Sequence, residues 1–137
     1  GQILKEGSKD GNNAGGNVAI IAVGSMVEET FKAIDMLEKE NVHPAFVNPV
    51  FIKPMDTELI KRVAENHKHI IVVEEGIKKG GFGESVETFI LESGIDADVQ
   101  VMAIDDRFVE QGNVALLREE IGISYKNIYE KVMELTR

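Results

Sequence analysis

The chain has 137 residues, about one domain's worth, and sets 15 Lys and Arg against 24 Asp and Glu for a formal net charge of −9. That balance suits no phosphate backbone, whose neutralisation by Lys and Arg dominates nucleic-acid affinity, while 43% hydrophobic and 28% charged residues exclude a disordered acidic tail. With no cysteine there is no disulfide framework, thiolate metal site or thiol nucleophile, and neither a signal-peptide pattern nor an apolar run of the roughly 20 residues that span a bilayer points to a membrane. The chain opens at Gly1 rather than Met, as a processed chain or a piece of a longer one would.

Five of the 13 glycines fall in the first 17 residues, and residues 8–17 read SKDGNNAGGN, which predicts a flexible surface loop. Gln2-Ile3-Leu4-Lys5 before it has the makings of a short edge strand. Residues 18–23 (VAIIAV) are continuously apolar and rich in β-branched side chains, the pattern of a strand covered on both faces. Gly24 follows, and Ser25 with Glu28 three residues on forms a capping box. The helix it opens runs to about Glu40, with Val27, Phe31, Ile34 and Leu37 as its apolar stripe.

Pro44, Pro49 and Pro54 then bracket a short strand at residues 45–48 and leave no room for a helix. Asp56 can cap the next helix, which carries Leu59, Ile60 and Val63. Residues 70–73 form a second doubly covered strand ending in Glu74-Glu75. The loop at residues 76–83 (GIKKGGFG) leads into a helix bearing Val86, Phe89 and Ile90, stopped near Gly94. Residues 99–104 read as another strand. Helix follows at residues 113–121, is broken at Gly122, and resumes from Ser124 with Tyr125, Ile128, Val132 and Leu135 as its buried face. Alternation of strand and helix predicts a single α/β domain over residues 1–137, an open parallel sheet with helices on both faces.

In such sheets ligands sit beyond the carboxyl ends of the strands. Gly24-Ser25 and the segments 48–56, 74–83 and 105–112 project there. Gly80-Gly81-Phe82-Gly83, with Lys78 and Lys79 alongside, could cradle an anion on backbone N–H groups, although neither a Walker loop nor GxGxxG is present. A small-anion or regulatory module is therefore the rival reading; the plainer one is that these glycines permit close packing of loop on sheet. Glu74-Glu75 could be an acid/base pair. Neighbours on an extended chain point to opposite faces, which favours a structural pair: one carboxylate accepting loop N–H bonds, the other solvated or at an interface. His43, His67 and His69 offer no zinc motif, and Ser25 lacks the GxSxG elbow. Asp105-Asp106-Arg107-Phe108 joins charge to an aromatic and suits either an internal ion pair or an interface anchor. No nucleophile, base and orienter come together. An anticodon-binding α/β domain shares this topology, but the charge argues against it.

The same segments carry a resemblance. Asn48-Pro49-Val50-Phe51-Ile52-Lys53-Pro54-Met55-Asp56 resembles the N-x-R-F-x-K-P-L-D stretch of the 1-deoxy-D-xylulose-5-phosphate synthase family. Glu74-Glu75 with Gly80-Gly81-Phe82-Gly83 is similar to that family's E-E…G-G-x-G stretch, and Asp106-Arg107-Phe108-Val109-Glu110-Gln111-Gly112 to its D-R-F-x-x-x-G stretch. The opening Ile3-Leu4-Lys5-Glu6-Gly7 resembles the lead-in to the family's last domain. Val50 stands where Arg is usual, Asp105 where Pro is often found, and residues 8–17 look like an insertion. The resemblance is to the third, transketolase C-terminal-like domain. It implies a three-layer α/β/α fold whose five-stranded mixed sheet has its first strand antiparallel to the rest. It implies a cytoplasmic parent enzyme condensing pyruvate with glyceraldehyde 3-phosphate, with loss of carbon dioxide, to feed isoprenoid, thiamine and pyridoxal synthesis. That enzyme uses thiamine diphosphate and magnesium, held by the first two domains. Residues of this stretch then have no catalytic, cofactor-binding or metal-binding role. Glu74, Glu75, Gly80, Gly81, Gly83, Asp106, Arg107 and Phe108 become structural or interface candidates, and the partners are the other two domains and a second subunit.

Overall fold

A computed structural model describes residues 2–5, 16–24, 26–48, 57–75, 81–104 and 125–136, the side chains of residues 2–5, 75, 103 and 104 excepted. In chain order these form β1 (Gln2–Lys5), β2 (Val18–Ala22), α1 (Met26–Glu38), β3 (Ala45–Asn48), α2 (Thr57–Asn66), β4 (His69–Glu75), α3 (Phe82–Glu92), β5 (Asp98–Ile104) and α4 (Tyr125–Thr136). The sheet order is β1-β3-β2-β4-β5. Four strands are parallel, and β1 joins β3 antiparallel through Gln2↔Asn48 and Ile3↔Val47. The mixed sheet and its antiparallel first strand are those expected above.

Connection handedness places the layers. From β2 the chain moves to β3 on one side, then crosses back over β2 to reach β4 and goes on outward to β5. Right-handed crossovers moving in opposite directions put their helices on opposite faces. Accordingly Val18, Ile20, Ala22, Phe46, Ile71 and Val73 pack with α1 and α4. The alternate residues Ala19, Ile21, Val47, Ile70 and Val72 pack with α2 and α3. Every residue of β2 is buried, which is why its sequence runs apolar without alternation. At full burial each Ile or Val contributes on the order of 1.5–3 kcal/mol.

Helix ends are fixed by local chemistry. At the end of α3, Ile95 N–H donates to the Ile90 carbonyl and Gly94 N–H to that of Leu91. Gly94 has φ +72°, the left-handed position that closes this hydrogen-bond pair and favours glycine. Asn41 takes the same position after α1 with φ 61°, where Val42 N–H donates to Leu37 and Asn41 N–H to Glu38. His67 Nδ1 donates to the Val63 carbonyl at 2.7 Å, closing α2.

Two expectations need correction or restriction. The stripe of α1 keeps Ile34 and Leu37, with Val27 partly buried against the core, but its other buried residues are Met26, Glu29, Thr30 and Ala33 rather than Phe31. Phe31 stays 38% exposed and meets the buried Phe46 edge-on, centroids 5.0 Å apart. The face is rotated because Glu29 is held inside by a polar partner and Thr30 returns its hydroxyl to the Met26 carbonyl at 2.7 Å. The Ser25 and Asp56 caps, the helix at residues 113–121 and most of the loop at residues 8–17 lie outside the described residues. Among the described residues no helix is long and apolar enough to cross a membrane.

Candidate functional site

The topological switch lies between β2 and β4, neighbours whose following helices cover opposite faces. Ligand crevices of open α/β sheets form there, beyond the carboxyl ends. In this chain that position brings together the end of β2, Gly24, the end of β4 and the start of α3. The Val23 N–H donates to the Val73 carbonyl at 3.2 Å, binding the two strand ends.

Glu74 is the central side chain. It shares the parity of Ile70 and Val72 along β4 and so faces α2 and α3. It is only 3% exposed. Gly83 N–H donates to its Oε1 at 2.8 Å, and the Phe82 N–H also donates to this carboxylate. These are the first two N–H groups of α3, which have no partner within a helix. The N-cap residue itself, Gly81, has no side chain to offer. A carboxylate from the strand therefore does the work of a cap, favoured by the positive end of the helix dipole. Burial pushes the Glu74 pKa up from its ordinary 4.5, and the two backbone hydrogen bonds pull it part of the way back.

Close approach makes this contact possible. A Cβ added at Gly83 would stand 2.5 Å from Val101 Cγ1 on β5 and 2.9 Å from Glu74 Oε1. Gly81 is extended, with φ −84° and ψ 179°, a conformation open to any residue. At position 83, then, space demands glycine.

Among the described residues, the Phe82 and Gly83 N–H groups at the start of α3 are satisfied by the protein's own Glu74 carboxylate. Glu74 is buried and turned to these backbone donors, a structural use of its carboxylate. The backbone of Glu75 pairs with Ile104, and its side chain lies outside those described. Gly80, Lys78, Lys79, Asp105, Asp106, Arg107 and Phe108 also lie outside the described residues.

A second glutamate repeats the arrangement, and periodicity gave no sign of it. Glu29, 8% exposed on α1, accepts the Tyr125 N–H at the start of α4 through Oε2 at 3.0 Å, while Lys32 Nζ lies 3.7 Å from its Oε1. The histidines stand apart. His69 Nδ1 lies 3.3 Å from Asp98 Oδ2, and His43 Nε2 lies 3.2 Å from Asn41 Oδ1. Among the described residues no three His, Asp or Glu side chains gather to hold a metal ion.

Comparison with known proteins agrees with the fold. The transketolase C-terminal domain family matches residues 9–128. A 1-deoxy-D-xylulose-5-phosphate synthase of Dehalococcoides mccartyi is 40% identical over 124 residues, 89% of this chain and 19% of that protein. The synthase of Brevibacillus brevis is 37% identical over 135 residues, 98% of this chain and 22% of its own length. A solved split-gene transketolase, described as an inactive beta4 tetramer, superposes with a TM-score of 0.78 at 27% identity, covering 99% of this chain and 43% of that one. The chain spans about a fifth of the length of the curated relatives it matches. With a sheet of this order, this placement of helices and these relatives, the chain belongs to the transketolase C-terminal domain family, in the company of 1-deoxy-D-xylulose-5-phosphate synthases.

Proposed function

We propose that the chain is the single carboxyl-terminal domain of a cytoplasmic 1-deoxy-D-xylulose-5-phosphate synthase, a structural and dimer-building part of an enzyme that condenses pyruvate with glyceraldehyde 3-phosphate and releases carbon dioxide. The observation that carries this reading is 40% identity over 124 residues to such a synthase. The site is compatible with this reading, because its buried Glu74 caps α3.

Thiamine diphosphate and magnesium, which the synthase reading implies, do not fit these residues. The leading N–H groups of α3 are engaged by Glu74, the described carboxylates form no cation cluster, and the sequence contains no Gly-Asp-Gly run. The cofactor and the chemistry belong to the remaining four-fifths of the longer protein, and this domain packs against those parts and a second subunit. Arg107 and Phe108 are the proposed anchors of that contact.

The test joins the chain to its upstream coding sequence and follows carbon dioxide release from pyruvate with glyceraldehyde 3-phosphate, beside calorimetric titration of the 137-residue chain with thiamine diphosphate and magnesium. Turnover by the long protein and no heat of cofactor binding by the short one are expected. Stoichiometric cofactor binding to the 137-residue chain refutes the assignment of its role. In the long protein, Arg107→Ala with unaltered dimer dissociation and turnover refutes the anchor.

A further inference from the structure

The outer edge of the sheet carries a surface to which no role has been assigned above. Between α3 and the first residues of β5 lies an open groove of about 400 Å³. Ile95, Ala97 and Val99 line it, and Leu91 stands on its lip with 80% of its surface exposed, the most exposed large apolar side chain among the described residues. A single exposed leucine is unremarkable, but this one stands beside a groove lined by both apolar and acidic side chains, next to β5 at the edge of the described sheet.

Charge selects the occupant. Glu84, Glu87 and Asp98 line the same groove. Throughout residues 81–104 there are five carboxylates (these three with Glu92 and Asp96) and no Lys, Arg or His. From another element, the His69 ring Nδ1 lies 3.3 Å from Asp98 Oδ2. A second copy meeting this face through its own would set like charges against each other, and a phosphate-bearing partner would be repelled. The stretch at residues 105–124 brings five further carboxylates against Arg107 and Arg118, so it has the wrong sign as well.

We infer that the α3–β5 groove docks a lysine- and arginine-bearing face of another polypeptide, which seats one apolar side chain against Leu91. The apolar anchor supplies affinity, and the carboxylate rim supplies register and partner choice. The groove's own composition sets this partner, so the inference stands apart from the synthase assignment.

The probe is a 14-residue amphipathic peptide of lysine and leucine, added to the isotope-labelled 137-residue chain and followed by NMR, with a glutamate and leucine peptide as control. Saturable shifts should centre on residues 84–99, weaken as salt is raised from about 0.05 to 0.5 M, and be absent with the control. Leu91→Ser should weaken binding by about fivefold or more, the loss of one interface anchor. Glu87→Lys should weaken it at least as much. Both positions lie on the accessible side of α3, and unchanged melting temperatures will show that the variants fold. Shifts centred elsewhere, no binding, equal binding of the acidic peptide, or unaltered affinity of the Leu91→Ser variant each overturn the inference. So does a concentration-dependent dimer in sedimentation that Leu91→Ser dissolves, because the occupant would then be a second copy.

Discussion

Replacing Gly83 by alanine sets two rules against each other. In an ordinary helix interior the change stabilises by about 1 kcal/mol, because alanine loses less backbone freedom on folding. Gly83 lies within α3 without a positive φ, so that gain applies. Against it stands a methyl group placed 2.5 Å from Val101 Cγ1 and 2.9 Å from Glu74 Oε1. Overpacking of this kind costs roughly 1–3 kcal/mol. Displacing the buried Glu74 carboxylate from the Gly83 and Phe82 N–H groups adds roughly 1 kcal/mol for a lost cap. The balance is a net destabilisation of roughly 1–3 kcal/mol, or about 4–12 °C in melting temperature for a chain of this size. Thermal and urea unfolding of the Gly83→Ala variant measure it. Because the closest atoms belong to Val101, the Val101→Ala/Gly83→Ala double variant should recover part of the loss beyond additivity. A single variant as stable as the parent or more so, or a cycle with no coupling, refutes the close-approach argument.

Glu74→Gln keeps an acceptor near Gly83 and removes the charge. Burial holds the folded-state pKa of Glu74 above 4.5, so the native chain binds this proton more tightly than the unfolded one. The resulting stability is present below about pH 4.5 and is lost as pH rises through the raised value. The variant should therefore gain on the parent as pH goes from 4.5 to 7.5 in urea titrations; a pH-independent difference, or one of the opposite slope, refutes the assignment. Glu29→Ala should lower stability by about 0.5–2 kcal/mol, because Tyr125 N–H loses its acceptor, and should weaken amide-exchange protection at the start of α4; unchanged protection there counts against the cap. Ile128→Ala, at a wholly buried position between α1 and the sheet, should cost about 2–5 kcal/mol in denaturant unfolding. A loss under 1 kcal/mol would mean that α4 does not carry this part of the core.

Elements that speak through a short window were legible in the sequence. The apolar runs of β2 and β4 are covered on both faces, and β3 occupies residues 45–48 as the prolines require. The stop of α3 follows from Gly94. The antiparallel β1 came through the family resemblance, because four residues carry too little pattern of their own. What stayed hidden depends on contacts far along the chain. The rotated face of α1 follows from Glu29, whose partner lies 96 positions away, and hydrophobic periodicity is blind to a buried carboxylate. In the glycine run a structural role was readable, yet the need for glycine at position 83 was not. That required the approach of Val101 from a different strand.

The two borrowed caps also bear on the order of assembly. Neither α3 nor α4 draws the described acceptor for its first turn from a nearby residue in its own helix; each waits for a glutamate delivered by another element. For α4 the wait is long, since the α1 face of the sheet gains Ile128 and Val132, both fully buried, only after residues 125–136 have been made. On the ribosome that face must remain uncovered while nearly all of the preceding sequence emerges. Contacts of such long range close late because loop-closure entropy is met before they form. The Glu29 carboxylate that finishes α4, 96 positions from its partner, is therefore among the last contacts to close, whereas Glu74 reaches α3 across only nine.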